Sequence, residues 1–230
     1  MRNDFTIKTV ESREEELINK FSVFLRYYDE HTPFTSLGQL DYHRMTIEKR
    51  FELNSIQAAV LNEEFITNLW YTLKAWGMNS RGSKLLPLSK FSTNLKKNLS
   101  ELESLELYHI DDIKLKDEEK TNLIWDLINK IQVTESKNRV VSGTKMFHHL
   151  FPDLVPPMDR QYTRMFFHWR SQQFQNNPRQ VFFDMYIRFI QIARRTNPTQ
   201  YIGQGWRTSK TKILDNGVVA YCKMKNINID

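Results

Sequence analysis

The chain has 230 residues, a formal charge of +6, 40% hydrophobic and 13% aromatic residues, enough apolar surface for a packed core, which excludes the disordered and low-complexity classes. No apolar run approaches the ~18 residues that a membrane span requires, and the opening Met1-Arg2-Asn3-Asp4 leads into charge rather than an apolar leader, so no membrane partner and a cytoplasmic location are expected. Cys222 is the single cysteine, which excludes an internal disulfide framework and suits a reducing compartment.

Helical periodicity runs along most of the chain. Between Glu14 and Tyr28, the residues Leu17, Phe21, Phe24, Leu25 and Tyr28 recur at spacings of three and four, the stripe of a helix packed on a core. Weaker periodic segments span Leu40 to Phe51 and Ser89 to Leu99. Glu63 to Trp76 carries Phe65, Ile66, Leu69, Trp70, Leu73 and Trp76 on one face. Lys116 to Ile131 does the same with Leu123, Ile124, Leu127, Ile128 and Ile131, and its acidic opening Asp117-Glu118-Glu119 complements a helix N-terminus.

Further along, Asn177 and Pro178 form a start signal for a helix burying Phe182, Met185, Tyr186, Phe189, Ile190 and Ala193 and ending near Asn197-Pro198. A last helix is predicted from about Ser209 to Lys223 with Ile213, Leu214 and Val218 inward. Alternation of apolar and polar residues is nowhere sustained, so no strand is expected. The predicted fold is all-α: a compact globule of about nine or ten helices, as one domain over 1–230 or two packed lobes at about 1–110 and 111–230.

The charge is unevenly spread. From Arg160 to Lys225 there are twelve basic residues against two acids, Asp184 and Asp215, while the remainder of the chain is net acidic. Such a surface concentrates polyanions, and nucleic acid is the commonest partner of that kind. A solvated basic face without a specific partner is the competing reading.

Chemistry concentrates between Ser142 and Arg164. A short helix over Thr144 to Phe151 is stopped by Pro152, a second stop follows at Pro156-Pro157, and Asp159 stands at the cap position before an aromatic-rich helix from Arg160 to Trp169. The order Gly143-Thr144-Lys145, apolar helix, Val155-Pro156-Pro157-Met158-Asp159 resembles the helix-hairpin-helix DNA glycosylase superfamily. Its usual Leu-Pro-Gly-x-Gly hairpin is here Asn138-Arg139-Val140-Val141-Ser142-Gly143, with one glycine, and the similarity is confined to this segment.

The resemblance implies a glycosylase-like helical fold, duplex DNA as partner, Lys145 as nucleophile and Asp159 as the carboxylate that stabilises a developing oxocarbenium charge. Gly143, Thr144, Arg160 and Arg164 are then expected at the nucleic acid, joined by Arg207, Ser209 and Lys210 at the start of the last helix, where amides bind phosphate. Phe166, Phe167, Trp169, Phe151 or the pair Trp70 and Trp76 are the candidates to hold an extruded base. Each residue also has a plain structural role: Asp159 as a cap, Lys145 as a surface lysine, the aromatics as core.

No cofactor is expected, and no metal: His148 and His149 point apart on a helix, and no cysteine pair or histidine four residues away completes a zinc site. The turn Tyr201 to Lys210 has glycines beside serine and lysine without the order of a phosphate loop. Three readings stay open: a DNA glycosylase or lyase acting on a modified base, a non-catalytic nucleic-acid-binding module, and a helical protein-interaction domain.

Overall fold

The computed structural model describes residues 4–36, 38–80, 83–112 and 118–228. Among them are thirteen α-helices, a π-helical turn, a short 3-10 turn and no strand; Leu85 and Thr134 form an isolated bridge. The helices are α1 (Asp4–Asn19), α2 (Phe21–His31), α3 (Gln39–Glu52), α4 (Ile56–Leu61), α5 (Glu63–Leu73), α6 (Leu88–Lys97), α7 (Leu99–Glu103), α8 (Glu118–Ile131), α9 (Val140–Leu150), α10 (Tyr162–Phe166), α11 (Ser171–Asn176), α12 (Pro178–Thr196) and α13 (Lys210–Met224). None of them is long and apolar enough to cross a membrane.

The all-α prediction holds, with more and shorter helices than the stripes suggest. The stripe from Glu14 to Tyr28 is divided at Lys20 (φ −122, ψ 27), yet Leu17 and Phe21 on either side stay buried. The apolar pattern therefore continues through a backbone bend. The stripe from Glu63 likewise leaves α-helical geometry after Leu73, where Lys74–Met78 forms the π-helical turn and Gly77 takes φ +81. Glycine accepts that left-handed geometry without strain. In the predicted helix from Lys116, Lys116 and Asp117 lie outside the described residues; Glu118 and Glu119 open α8.

Two expectations about helix starts are corrected. Asn177 precedes Pro178 at the start of α12, but its side chain accepts no bond from the first turn; its amide instead lies 3.5 Å from the Gln173 carbonyl. The helix predicted from Arg160 to Trp169 is a single turn, α10, because the carbonyls of Asp159 and Arg164 accept out-of-step bonds from Arg164 and Trp169. Ser209 caps α13, accepting from the Lys212 amide at 3.3 Å.

Helix α13 is the axis of the molecule. It packs on α1, α2, α10 and α12, and its residues Thr211 through Cys222 are all buried. Because this helix has no wet face, its polar side chains must find partners inside the core. On the other side α3, α5, α8 and α12 pack on α9, and one continuous apolar cluster runs from Val10 to Cys222.

Gly143 lies inside α9, not in a turn, and is buried. A Cβ there would stand 2.3 Å from Cγ2 and 3.0 Å from Cγ1 of Ile128, so the bare backbone is what lets α8 approach. Gly143→Ala is expected to cost about 1–3 kcal/mol through overpacking, read as a lower urea midpoint. In the Ile128→Ala background the added cost should largely vanish; equal costs in both backgrounds would rule out this contact as the cause.

Candidate functional site

The segment after α9 is tied back to it. Pro156 and Pro157 are buried, the Met158 amide donates to Thr144 Oγ1 at 3.1 Å, and the Asp159 amide donates to Thr163 Oγ1 at 3.1 Å. The Asp159 carboxylate uses Oδ1 to accept from the amides of Gln161 (2.6 Å) and Tyr162 (2.5 Å). No described residue bonds Oδ2, so capping occupies one oxygen and leaves the other available.

Lys145 and Asp159 line the same cleft, a space of about 660 Å³ whose rim includes the exposed Ser80, Arg160, Gln161 and Gln175. That volume suits a nucleoside-sized ligand. The Lys145 ammonium donates to the Trp76 carbonyl at 2.9 Å and lies 5.7 Å from the centroid of that indole. Burial lowers the lysine pKa, with the charges of Asp159 and Asp215 opposing the shift. Burial, reinforced by the charge of Asp215, raises the Asp159 carboxyl above its usual range. Both shifts favour neutral forms.

The aromatic walls are Phe34, Trp76, Tyr162 and Trp206. Of the predicted base-holding side chains only Trp76 faces this space. Phe151, Phe166, Phe167 and Trp169 are buried in the core, and the Trp70 indole N–H donates to the Leu86 carbonyl at 2.9 Å. Phe34, Tyr162 and Trp206 were missed because each sits in or beside an irregular segment, where helical spacing carries no information.

Lys212 and Asp215 also reach this cleft from α13. The Lys212 ammonium donates to Asp215 Oδ2 and Asn216 Oδ1, each at 2.6 Å, and lies within 5.9 Å of the ring centroids of Tyr28, Phe34, Trp76 and Trp206. Burial alone would lower its pKa, but Asp215 and Tyr28 outweigh that and hold it raised.

The other residues expected at nucleic acid are placed differently. Gly143, Thr144, Arg164 and Ser209 are buried; Thr144 Oγ1 donates to the Val140 carbonyl, and the Arg164 guanidinium to the carbonyls of Arg160 and Trp169. Arg207 pairs with Asp29, and Lys210 with Asp111. Arg160 alone of the seven is exposed on the rim of the cleft.

The basic third is also less one-sided than its sequence suggests. Arg188 meets Glu14, Arg195 meets Glu15, Arg207 meets Asp29 and Lys225 meets Glu16, so acids of α1 and α2 fold onto it. Lys210 and Lys212 are paired as well. The pairs with α1 and α2 join residues 174 to 209 positions apart along the chain, which no local reading of charge reveals.

Behind the cleft lies a group of three buried imidazoles, His43 of α3 with His148 and His149 of α9. The His43 ring packs 5.1 Å from Trp76 and 5.4 Å from Trp206, centroid to centroid. The expectation that His148 and His149 point apart with no further histidine to join them is corrected: their ring centroids are 5.0 Å apart, and His43, 105 or more residues away along the chain, joins them through a contact that helical spacing does not carry. No family model matches the chain, and no curated protein or solved structure matches it.

Proposed function

We propose that the chain is a nucleic-acid base-processing enzyme of the DNA glycosylase type, with the cleft as the pocket for an extruded base. The observation that carries this reading is the convergence of Lys145 and Asp159 on one aromatic-walled, nucleoside-sized space. Phe34, Trp76, Tyr162 and Trp206 supply the stacking faces that an unstacked base needs.

In this mechanism the glycosidic C1′–N bond breaks and its electron pair leaves with the base. Asp159, ionised against the upward shift that burial gives its carboxyl, presents its free Oδ2 to the positive charge that develops at C1′ and stabilises it. Lys145, released from the Trp76 carbonyl and neutral, donates its lone pair to C1′ and passes a proton to the departing base; the C1′–O4′ bond then opens, O4′ takes up a proton, and the imine that borohydride reduces is left on the lysine, whose lowered pKa favours the attacking form. Without the lysine attack, water completes a simple hydrolysis at the same carbon.

The test is base release from duplexes carrying a panel of modified bases. Asp159→Asn is expected to reduce turnover about 100-fold or more, and Lys145→Gln to abolish a borohydride-trapped adduct. Full activity in Asp159→Asn, or no product from the whole panel, removes this reading. The internal pairing of six of the twelve C-terminal cations favours a second reading, a non-catalytic binder of a flipped or single nucleotide. Binding without turnover and with a shallow salt dependence selects it, since few phosphates would then be neutralised.

A further inference from the structure

The three imidazoles behind the cleft are arranged around a common point. One ring nitrogen from each lies within 4.8 Å of one from each of the others, and the ring centroids are 5.0, 5.1 and 5.5 Å apart. A tetrahedral ion with bonds of about 2.0–2.1 Å holds its nitrogens about 3.4 Å apart. The nearest pair, His43 Nδ1 and His149 Nε2, is at 3.0 Å. Small ring movements would close the set on an ion.

Hydrogen bonds identify which nitrogens point inward. His149 Nδ1 faces the Lys145 carbonyl at 2.8 Å, which can only accept, so this nitrogen carries the proton and Nε2 carries a lone pair. His148 Nδ1 faces Thr211 Oγ1 at 2.8 Å, and that hydroxyl spends its own proton on the Pro152 carbonyl at 2.5 Å. His148 Nδ1 is therefore a donor and its Nε2 is a second lone pair. That Nε2 is buried and has no partner at full hydrogen-bond geometry; the Val155 carbonyl makes a weaker hydrogen-bond contact with the ring, which raises its pKa against the effect of burial.

His149 Nε2 accepts from His43 Nδ1 at 3.0 Å, and His43 Nε2 then accepts from Thr208 Oγ1 at 2.7 Å; moving the His43 proton from Nδ1 to Nε2, where the rotated Thr208 hydroxyl accepts it, makes Nδ1 the third inward lone pair. Imidazoles whose outer nitrogens are held by a carbonyl and hydroxyls are the usual supported form of histidine ligands. The one cation felt by all three rings, Lys212, is itself paired with Asp215 at 2.6 Å, which offsets its repulsion of a metal.

We propose that His43, His148 and His149 form a three-imidazole site for one divalent transition-metal ion of borderline softness, Zn²⁺ or its neighbours Co²⁺ and Ni²⁺. Imidazole nitrogen suits these ions, and the absence of carboxylate oxygen from the set disfavours Mg²⁺ and Ca²⁺. Three protein ligands leave a coordination position over, as in open zinc sites. Trp76 and Trp206, which both touch His43 and both line the cleft, stand between the ion and that space.

The full chain, stripped with chelator and given Co²⁺ alone, is expected to bind one equivalent and show the intense visible bands of a four- or five-coordinate ion, with Zn²⁺ displacing it. His148→Asn should abolish the bands. Thr208→Val, which removes only the outer partner of His43, should weaken binding about 10- to 100-fold. Since His148→Asn alters the core, X-ray absorption at the zinc edge of the unmodified protein counts nitrogen ligands without relying on any variant.

A wild-type protein that retains no ion, or an absorption spectrum lacking three imidazoles, overturns the proposal and leaves a hydrogen-bonded triad. Every measurement omits nucleic acid, so its failure is separate from failure of the base-processing reading.

Discussion

Lys212→Met is expected to lower stability by about 3–5 kcal/mol, a fall in Tm on the order of 6–20 °C. The lysine side chain is 1% exposed and the partner Asp215 7%, so removing the ammonium strands a carboxylate with little access to water. Asn216 would also lose the donor that its Oδ1 accepts from. The physical cause is the loss of a partner, not of a favourable pair as such, because desolvating both ions offsets much of their attraction. Lys212→Met with Asp215→Leu should consequently recover most of the loss. A double variant as unstable as the single one would show that lysine packing among the four aromatic rings matters more.

The second large effect concerns acid. Burial holds His149 at a pKa of about 4, and burial with the neighbouring rings holds His43 and His148 well below the ordinary 6.5. Unfolded, each imidazole takes up a proton near pH 6.5, whereas folded it does not. Their contribution to stability is thus complete above that value and is lost as the pH falls towards 4. Three such groups give a slope of up to about 4 kcal/mol per pH unit below pH 6, large against a total of about 5–15 kcal/mol.

Asp159 and Glu14, whose carboxyls burial raises, act in the reverse sense and offset part of this. Glu16, held at about 2 by Lys225 and Lys20, keeps its full contribution across this interval and loses it only as the pH falls below the ordinary carboxylate range. Urea denaturation of chelator-treated protein at pH 7, 6 and 5 should therefore show a steep decline, and a flat profile across that interval would mean that the rings are solvated.

The contrast between what the sequence conveyed and what it concealed follows from distance along the chain. Stripes such as Phe65, Leu69 and Leu73 report a helix through its own spacing, and Ser209 reports a helix start through its own hydroxyl. Helices α4 and α11, at six residues each, are too short to develop a stripe. The proximity of Lys145 and Asp159 to one cleft was within reach because only thirteen residues, three of them prolines, separate them.

His43 and Trp206 were out of reach, since they arrive from α3 and from the loop before α13. The polar set on α13 did carry a signal that passed unused: Lys212, Asp215 and Asn216 interrupt a helix that is otherwise small and apolar, and polar residues spaced by three and four there can satisfy one another inside a core.

The covalent step of base processing turns on one amine. Incubating the protein with duplex DNA containing an abasic site, trapping with borohydride and mapping the modified peptide by mass spectrometry should place the sugar on Lys145. A sugar found on any other amine, or no trapped product, would contradict it.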